Sequence, residues 1–164
     1  FFSQTKAKGA LNYYISFRKP ESWIEKKEVD FRNKKETILF LEQLLANWDG
    51  VYKEVFAATD EFTLLPMRNL ALENWQPHDN ITLIGDAAHL MPLFSGIGVN
   101  IGRLDALYLA ENLLTAEFPN CQKAIGSYEE KMFEYAAQAQ KDTAQAEEGI
   151  HSDKNFMEIM KDKR

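Results

Sequence analysis

Residues 81–105 read ITLIGDAAHLMPLFSGIGVNIGRLD and constrain the chain more than any other stretch. Ile81, Thr82, Leu83 and Ile84 form a short apolar run with the profile of a buried strand, and Gly85-Asp86 opens its end into a loop. A carboxylate just past a strand end stands where open sheets commonly bind ligands. Ala87 and Ala88 allow another molecule to approach closely, Pro92 fixes the loop, and Gly96 and Gly98 leave backbone N–H groups unshielded. A helix is expected from about Val99, with its N-terminus aimed at whatever fills the loop. That end carries roughly half a positive charge and free N–H donors, so it favours an anion or a developing oxyanion.

The flanking sequence places this unit in an α+β chain. Leu11, Tyr13, Ile15 and Phe17 alternate as in a strand with one face on a core, and Pro20 stops the run. Asn33 with Glu36 predicts a capped helix carrying Ile38, Leu41, Leu44, Leu45 and Trp48, ended by Asp49-Gly50. A shorter helix over 51–58 should turn Val51, Val55 and Phe56 inward. Residues 62–72 read as extended, with Pro66 restricting them to an edge or bulged strand. After a turn-rich boundary at 74–80, the helix beyond Gly98 carries Ile101, Leu104, Leu107, Tyr108, Asn112 and Leu114. Asn120 caps a long last helix with Cys121, Ala124, Ile125, Tyr128, Met132, Tyr135 and Ala139 on one stripe. Gly149 should end it, leaving a charged tail in which Phe156 and Met160 can dock.

Charge and composition exclude several classes. Nineteen basic against 25 acidic residues give a net charge of −6, which argues against nucleic-acid or anionic-membrane partners. The longest apolar candidate for a membrane span, 104–114, is broken by Asp105, Glu111 and Asn112. One cysteine, Cys121, excludes an internal disulfide and thiolate-rich metal clusters, and makes a cytoplasmic setting the expectation. The chain opens at Phe1-Phe2-Ser3 without methionine or signal-peptide pattern, so a piece of a longer protein is expected.

Gly96, Gly98 and Gly102 spell G-x-G-x-x-x-G, one residue too long for the dinucleotide fingerprint. The whole string instead resembles the second flavin-binding motif of the FAD-dependent aromatic hydroxylases, the para-hydroxybenzoate hydroxylase-like family. The matching positions are Gly85, Asp86, Ala87, Ala88, His89, Pro92, Gly96, Gly98, Asn100 and Asp105. Residues 9–11, 15–17 and 29–31, with Tyr128-Glu129 and Met132-Phe133, look like the tetracycline-inactivating flavin monooxygenases within it. The resemblance aligns with the family's C-terminal half and implies a missing N-terminal Rossmann segment. It implies three parts: 1–78 from the substrate-binding domain, 79–118 from the FAD-binding domain, and 119–164 as C-terminal helices.

The resemblance also implies roles. Asp86, preceded by Gly85 and followed by Ala87, would accept hydrogen bonds from the ribityl chain of FAD. Pro92 and the backbone of Gly96, Gly98, Val99 and Asn100 would line the isoalloxazine edge, where the helix dipole stabilises negative charge. NADPH or NADH would be the reductant, with molecular oxygen and an aromatic or polycyclic small molecule as co-substrates. No side chain of this chain is required as a catalyst, and no metal is implied. Phe2, Asn12, Tyr14, Phe94 and Ile150 are candidate substrate-pocket walls. Leu93 replaces a second Pro and Ile97 a Gln of many relatives. Asn12 and Tyr14 stand where the tetracycline-inactivating members carry His and Gly, and Tyr14 would narrow that pocket.

Blander readings stand beside these. Asp86 alone could be a turn cap, and His89 reads as a loop-packing residue. Asp86, His89 and Ser95 invite a hydrolase reading, but Leu93 and Ile97 flank Ser95 where G-x-S-x-G needs glycines. His78, His89 and His151 lack metal-ligand spacing. A flavin or ligand carrier without catalysis is the remaining alternative. A chain lacking the Rossmann half should bind FAD weakly or not at all and show no turnover, because binding must overcome lost translational and rotational freedom.

Overall fold

The run after Gly9-Ala10 forms a strand, but a shorter one than its alternation predicts. The structure is a computed structural model that describes residues 1–73, 75 and 78–152. In it the chain gathers into two units, Phe1–Leu65 and Pro66–Arg164.

In the first unit β1 (Phe2–Thr5) pairs antiparallel with β2 (Leu11–Tyr14), in the register Phe2↔Tyr14, Ser3↔Tyr13, Gln4↔Asn12 and Thr5↔Leu11. Lys8 and Gly9, both at positive φ, turn the chain between them. The ladder ends at Tyr14. Phe17 leaves it to pack its ring against Trp23 and Phe40, at 5.8 and 5.3 Å between centroids. Trp23 lies on the short helix α1 (Glu21–Glu25), and Phe40 on α2 (Lys34–Leu44). Phe31 completes this aromatic cluster, with Lys19 Nζ 5.8 Å above the Trp23 ring. The cap of α2 is as the sequence predicts. Asn33 Oδ1 accepts from the Lys35 and Glu36 N–H groups, and Asn33 Nδ2 donates to Glu36 Oε1 at 2.8 Å.

Helix α3 (Val51–Ala58) buries Phe56, which packs against Tyr13, while the Tyr13 hydroxyl meets Thr59 Oγ1 at 2.5 Å. Val51, expected inward, is exposed. Tyr52 takes the packing position of that first turn, against Trp48 and Phe1.

The second unit corrects two strand expectations. Residues 66–72 are not paired as a strand, and neither are 62–65 of the first unit. Leu70 reaches a neighbour by its backbone, donating to the Leu90 carbonyl at 2.9 Å, while Gln140 Nε2 donates to the Leu70 carbonyl at 2.7 Å. Residues 81–84 likewise form no strand, and Ile81, Leu83 and Ile84 are exposed. A strand requires a neighbour to exchange ladder hydrogen bonds, and among the described residues β1 and β2 alone form a sheet. Side chains hold the segment instead: Tyr128 donates its hydroxyl to the Leu83 carbonyl (2.9 Å), and Thr82 Oγ1 donates to Glu129 Oε1 (2.7 Å).

The one-turn helix α4 (Asp86–His89) and a 3₁₀ turn (Leu93–Ser95) lead to α5 (Gly98–Leu114) and then α6 (Cys121–Ile150). Asn120 caps α6 through Lys123 N–H at 2.9 Å, and the helix continues through Gly149 to Ile150. Helices α5 and α6 pack together, and the 3₁₀ turn packs on α6. The core joins Ala88 to Tyr128, Met132 and Ala136, with Trp75, Tyr108, Leu109, Phe133 and Tyr135 around it. The expected α6 stripe is buried at Ala124, Ile125, Tyr128, Met132 and Ala139, but Cys121 in its first turn is exposed.

Helix α5 departs further. Leu107 is exposed and Leu114 is 87% exposed, whereas Asp105 is fully buried. Its inner face is chosen by Asp105 and its partners rather than by leucine spacing. No helix among the described residues is long and apolar enough to cross a membrane. Asn74 and Pro77 of the expected boundary, and the tail with Phe156 and Met160, lie outside the described residues.

Candidate functional site

Gly85 adopts φ +61 and ψ −142, a conformation that side chains other than hydrogen rarely allow, and the chain turns sharply there. Its carbonyl accepts from the N–H groups of Ala88 (2.9 Å) and His89 (3.0 Å), which starts α4. Gly102 on α5 permits the approach: a Cβ on Gly102 would stand 3.4 Å from the Gly85 Cα.

One carboxylate closes this corner. Asp105 Oδ2 accepts from the Gly85 N–H at 2.7 Å and meets His89 Nε2 at 2.7 Å, and Oδ1 accepts from the Tyr135 hydroxyl. A carboxylate can only accept, so His89 presents a protonated Nε2 to it. Asp105 is 0% exposed and His89 1%, so both depend on these bonds for polar compensation. Burial first, then the bond to Asp105 and its charge, push the Tyr135 hydroxyl above its ordinary pKa. Burial, with the charges of Asp105 and Glu129, does the same to Tyr128. His89 is therefore a buried anchor, in line with its loop-packing reading.

Beyond the corner, the loop is tied to α6. Ser95 Oγ and Thr143 Oγ1 are 2.5 Å apart, and Thr143 Oγ1 donates to Met91 Sδ at 3.7 Å. Gly96 turns at φ +69, with its N–H on the Leu93 carbonyl at 3.0 Å. Helix α5 then begins without a side-chain cap and without an acidic residue in its first turn. The hydroxyl of Ser95 and the ring of His89 thus bond to Thr143 and Asp105 and not to each other, which removes the geometric basis for a serine hydrolase.

The expected cofactor residues lie along this one stretch: Gly85, Asp86 and Ala87 at the start of α4, Pro92 and Gly96 in the loop, and Gly98, Val99 and Asn100 at the start of α5. Asp86 and Ala87 are exposed beside buried Ala88 and His89, and Val99 is 75% exposed. The substrate-pocket candidates fall in both units. Phe2 and Tyr14 are paired across β1 and β2 with rings 6.3 Å apart, and Asn12 is two residues from Tyr14 on the same face. Phe94 packs edge-on against the His151 ring at 5.5 Å, and Ile150 is exposed at the end of α6.

Sequence reasoning missed the supports of this site. Asp105 was visible only as a motif position, and Tyr135 only as a member of the α6 stripe. Glu129 Oε1 gathers both Trp75 Nε1 (2.8 Å) and Thr82 Oγ1 (2.7 Å). The available signal was polar: Glu129 falls beside an apolar stripe, and Asp105 interrupts an apolar helix.

Residues 13–143 match the family described as FAD binding domain. The chain belongs to that family. A relative, Monooxygenase penA of Penicillium thymicola, is 36% identical over 89 residues, covering 48% of this chain and 20% of that protein. The chain therefore spans a small part of the relative's length.

The residues present suit the FAD of this family. A Cβ added at Gly85, Gly96 or Gly98 would meet nothing within 4 Å, so this chain leaves the space beside those backbones open. An exposed carboxylate suits hydroxyl donors, and uncapped N–H groups suit an electron-rich ring edge.

Proposed function

We propose that this chain is the C-terminal part of an FAD-dependent, NAD(P)H-consuming monooxygenase acting on an aromatic or polycyclic small molecule, tetracycline-like compounds among the candidates. The observation that supports this reading is an exposed Asp86 and an uncapped start of α5 on one short stretch of a chain of the FAD binding domain family. The name of the Penicillium relative supports oxygenation as the reaction type. Bound FAD would supply the redox chemistry between reductant and oxygen.

The chain's own groups hold and tune it. Asp86 accepts hydrogen bonds from the ribityl hydroxyls. Pro92 and the backbone of Gly96, Gly98, Val99 and Asn100 line the ring edge, and the α5 N-terminus favours negative charge there. Residues 79–118 act as the C-terminal part of the FAD-binding domain, 1–78 contribute to substrate binding through Phe2, Asn12 and Tyr14, and 119–164 are C-terminal helices. Phe94 and Ile150 are the substrate-contact candidates of the second unit.

The test uses the full-length protein, purified and scanned for flavin absorbance, followed by NADPH oxidation with and without aromatic candidates. Bound flavin and substrate-stimulated oxidation are expected. Flavin without stimulated oxidation would make the protein a carrier, and absence of flavin would overturn the reading. Asp86→Ala should weaken FAD binding by about tenfold, the loss of one charge-assisted hydrogen bond. It should leave the denaturation midpoint unchanged, because Asp86 is exposed.

A further inference from the structure

The two halves of the proposed cofactor site are Asp86 and the first turn of α5, and the loop that joins them turns at Gly96. Such a loop cannot by itself hold its ends in a fixed relation. The structure closes it from behind. Asp105 lies on α5, and it grips the Gly85 N–H, one residue before Asp86, at 2.7 Å. The residue that ends the extended segment is thus bonded to the helix that ends the loop. His89 Nε2 and the Tyr135 hydroxyl complete the carboxylate's bonding, the first from the far end of α4 and the second from α6. Gly102, three residues before Asp105 on the same face of α5, seats the Gly85 Cα.

We infer that Asp105 is the positioning residue of the flavin loop, with His89 and Tyr135 as its supports. It holds Gly85 in its turned conformation and so fixes the Asp86 carboxylate relative to the α5 N-terminus. The inference rests on the FAD reading above and adds to it a residue that touches no cofactor. Its chemistry is specific. A carboxylate offers only acceptors to three donors, whereas an amide in its place presents an N–H₂ to at least one of them. Asp105→Asn conserves shape but removes the charge from these bonds and turns an N–H₂ toward one of the partners, so it should loosen the hold on Gly85.

The experiment measures FAD affinity by calorimetry in the full-length protein, together with visible circular dichroism of the bound flavin at saturating FAD. Asp105→Asn is expected to weaken binding by about tenfold or more, as loss of a charge-assisted bond predicts. It should also change the dichroism of the flavin that still binds. Tyr135→Phe and His89→Gln keep more of the network and serve if Asp105→Asn does not fold. His89→Gln, which retains an N–H donor, should restore part of the affinity lost in His89→Ala. The control is Asn112→Ala, which removes the Asn112 Nδ2 to Ala124 carbonyl bond between α5 and α6. It should lower stability and leave both flavin readouts unchanged. Wild-type affinity and dichroism in Asp105→Asn, or equal flavin effects from Asn112→Ala, would overturn the positioning role. Failure of the wild-type protein to bind FAD would instead overturn the reading beneath it.

Discussion

The two units use their interiors differently. The first is built on rings: Phe17, Trp23, Phe31 and Phe40 meet mostly edge to face, and Phe56 packs on Tyr13. The second surrounds Ala88, Tyr128 and Met132 with buried polar groups, notably Asp105, His89, Glu129 and Thr143. Apolar packing is nearly non-directional and tolerates swaps that conserve volume. A buried carboxylate tolerates almost none, because each unmatched donor around it retains its desolvation cost. The polar interior is therefore the one suited to holding a loop in a single conformation.

The comparison breaks most visibly at Asp105. Asp105→Ala strands the Gly85 N–H, His89 and the Tyr135 hydroxyl, and should cost about 3–5 kcal/mol in urea unfolding. Asp105→Asn should still cost more than Leu41→Met, a volume-conserving change at a buried position of the first unit, for which less than about 1.5 kcal/mol is expected. Equal costs for those two shape-conserving changes would erase the distinction between the units. Asn33→Ala and Asn120→Ala each remove a helix cap, one in each unit, and should each cost about 1 kcal/mol. A marked inequality between them would show that the surroundings, and not the cap, set the value. Ser95→Ala loses the bond to Thr143 and should cost about 1 kcal/mol or less without abolishing any ester hydrolysis.

The smallest effect near neutrality is that of pH. Tyr128 and Tyr135 are both held above the ordinary tyrosine value of 10.0 in the folded chain. Below that value both states are protonated, so these groups make no pH-dependent contribution. Above it the unfolded chain releases protons first, and stability falls as pH rises toward the folded values. Tyr13 in the first unit is raised by burial, with its bond to Thr59 opposing the shift, so the larger alkaline loss belongs to the second unit. Urea midpoints between pH 8 and about 11 should be flat, then decline, and Tyr135→Phe should make the decline shallower. A midpoint that stayed flat at higher pH, or a decline unchanged in Tyr135→Phe, would remove the tyrosines from the account.

What the sequence determined by itself was local. Asn33 and Asn120 cap the helices they were expected to cap, because a cap depends on residues two or three positions apart. Gly85 and Gly96 both adopt positive φ, which a glycine at those positions permits without steric cost. What the tertiary structure decided were pairings across long separations. Whether 81–84 becomes a strand depends on a neighbouring strand, which alternation in its own residues cannot specify. Leu107 and Leu114 face outward on α5 because Asp105 claims the inner face. Its partners lie 20, 16 and 30 residues away, and no periodicity within α5 reveals that a carboxylate will be the best-satisfied group in its interior. Burial of a charge is decided by the donors that gather around it, and those come from two distant parts of the chain, the Gly85–His89 turn and Tyr135 on α6.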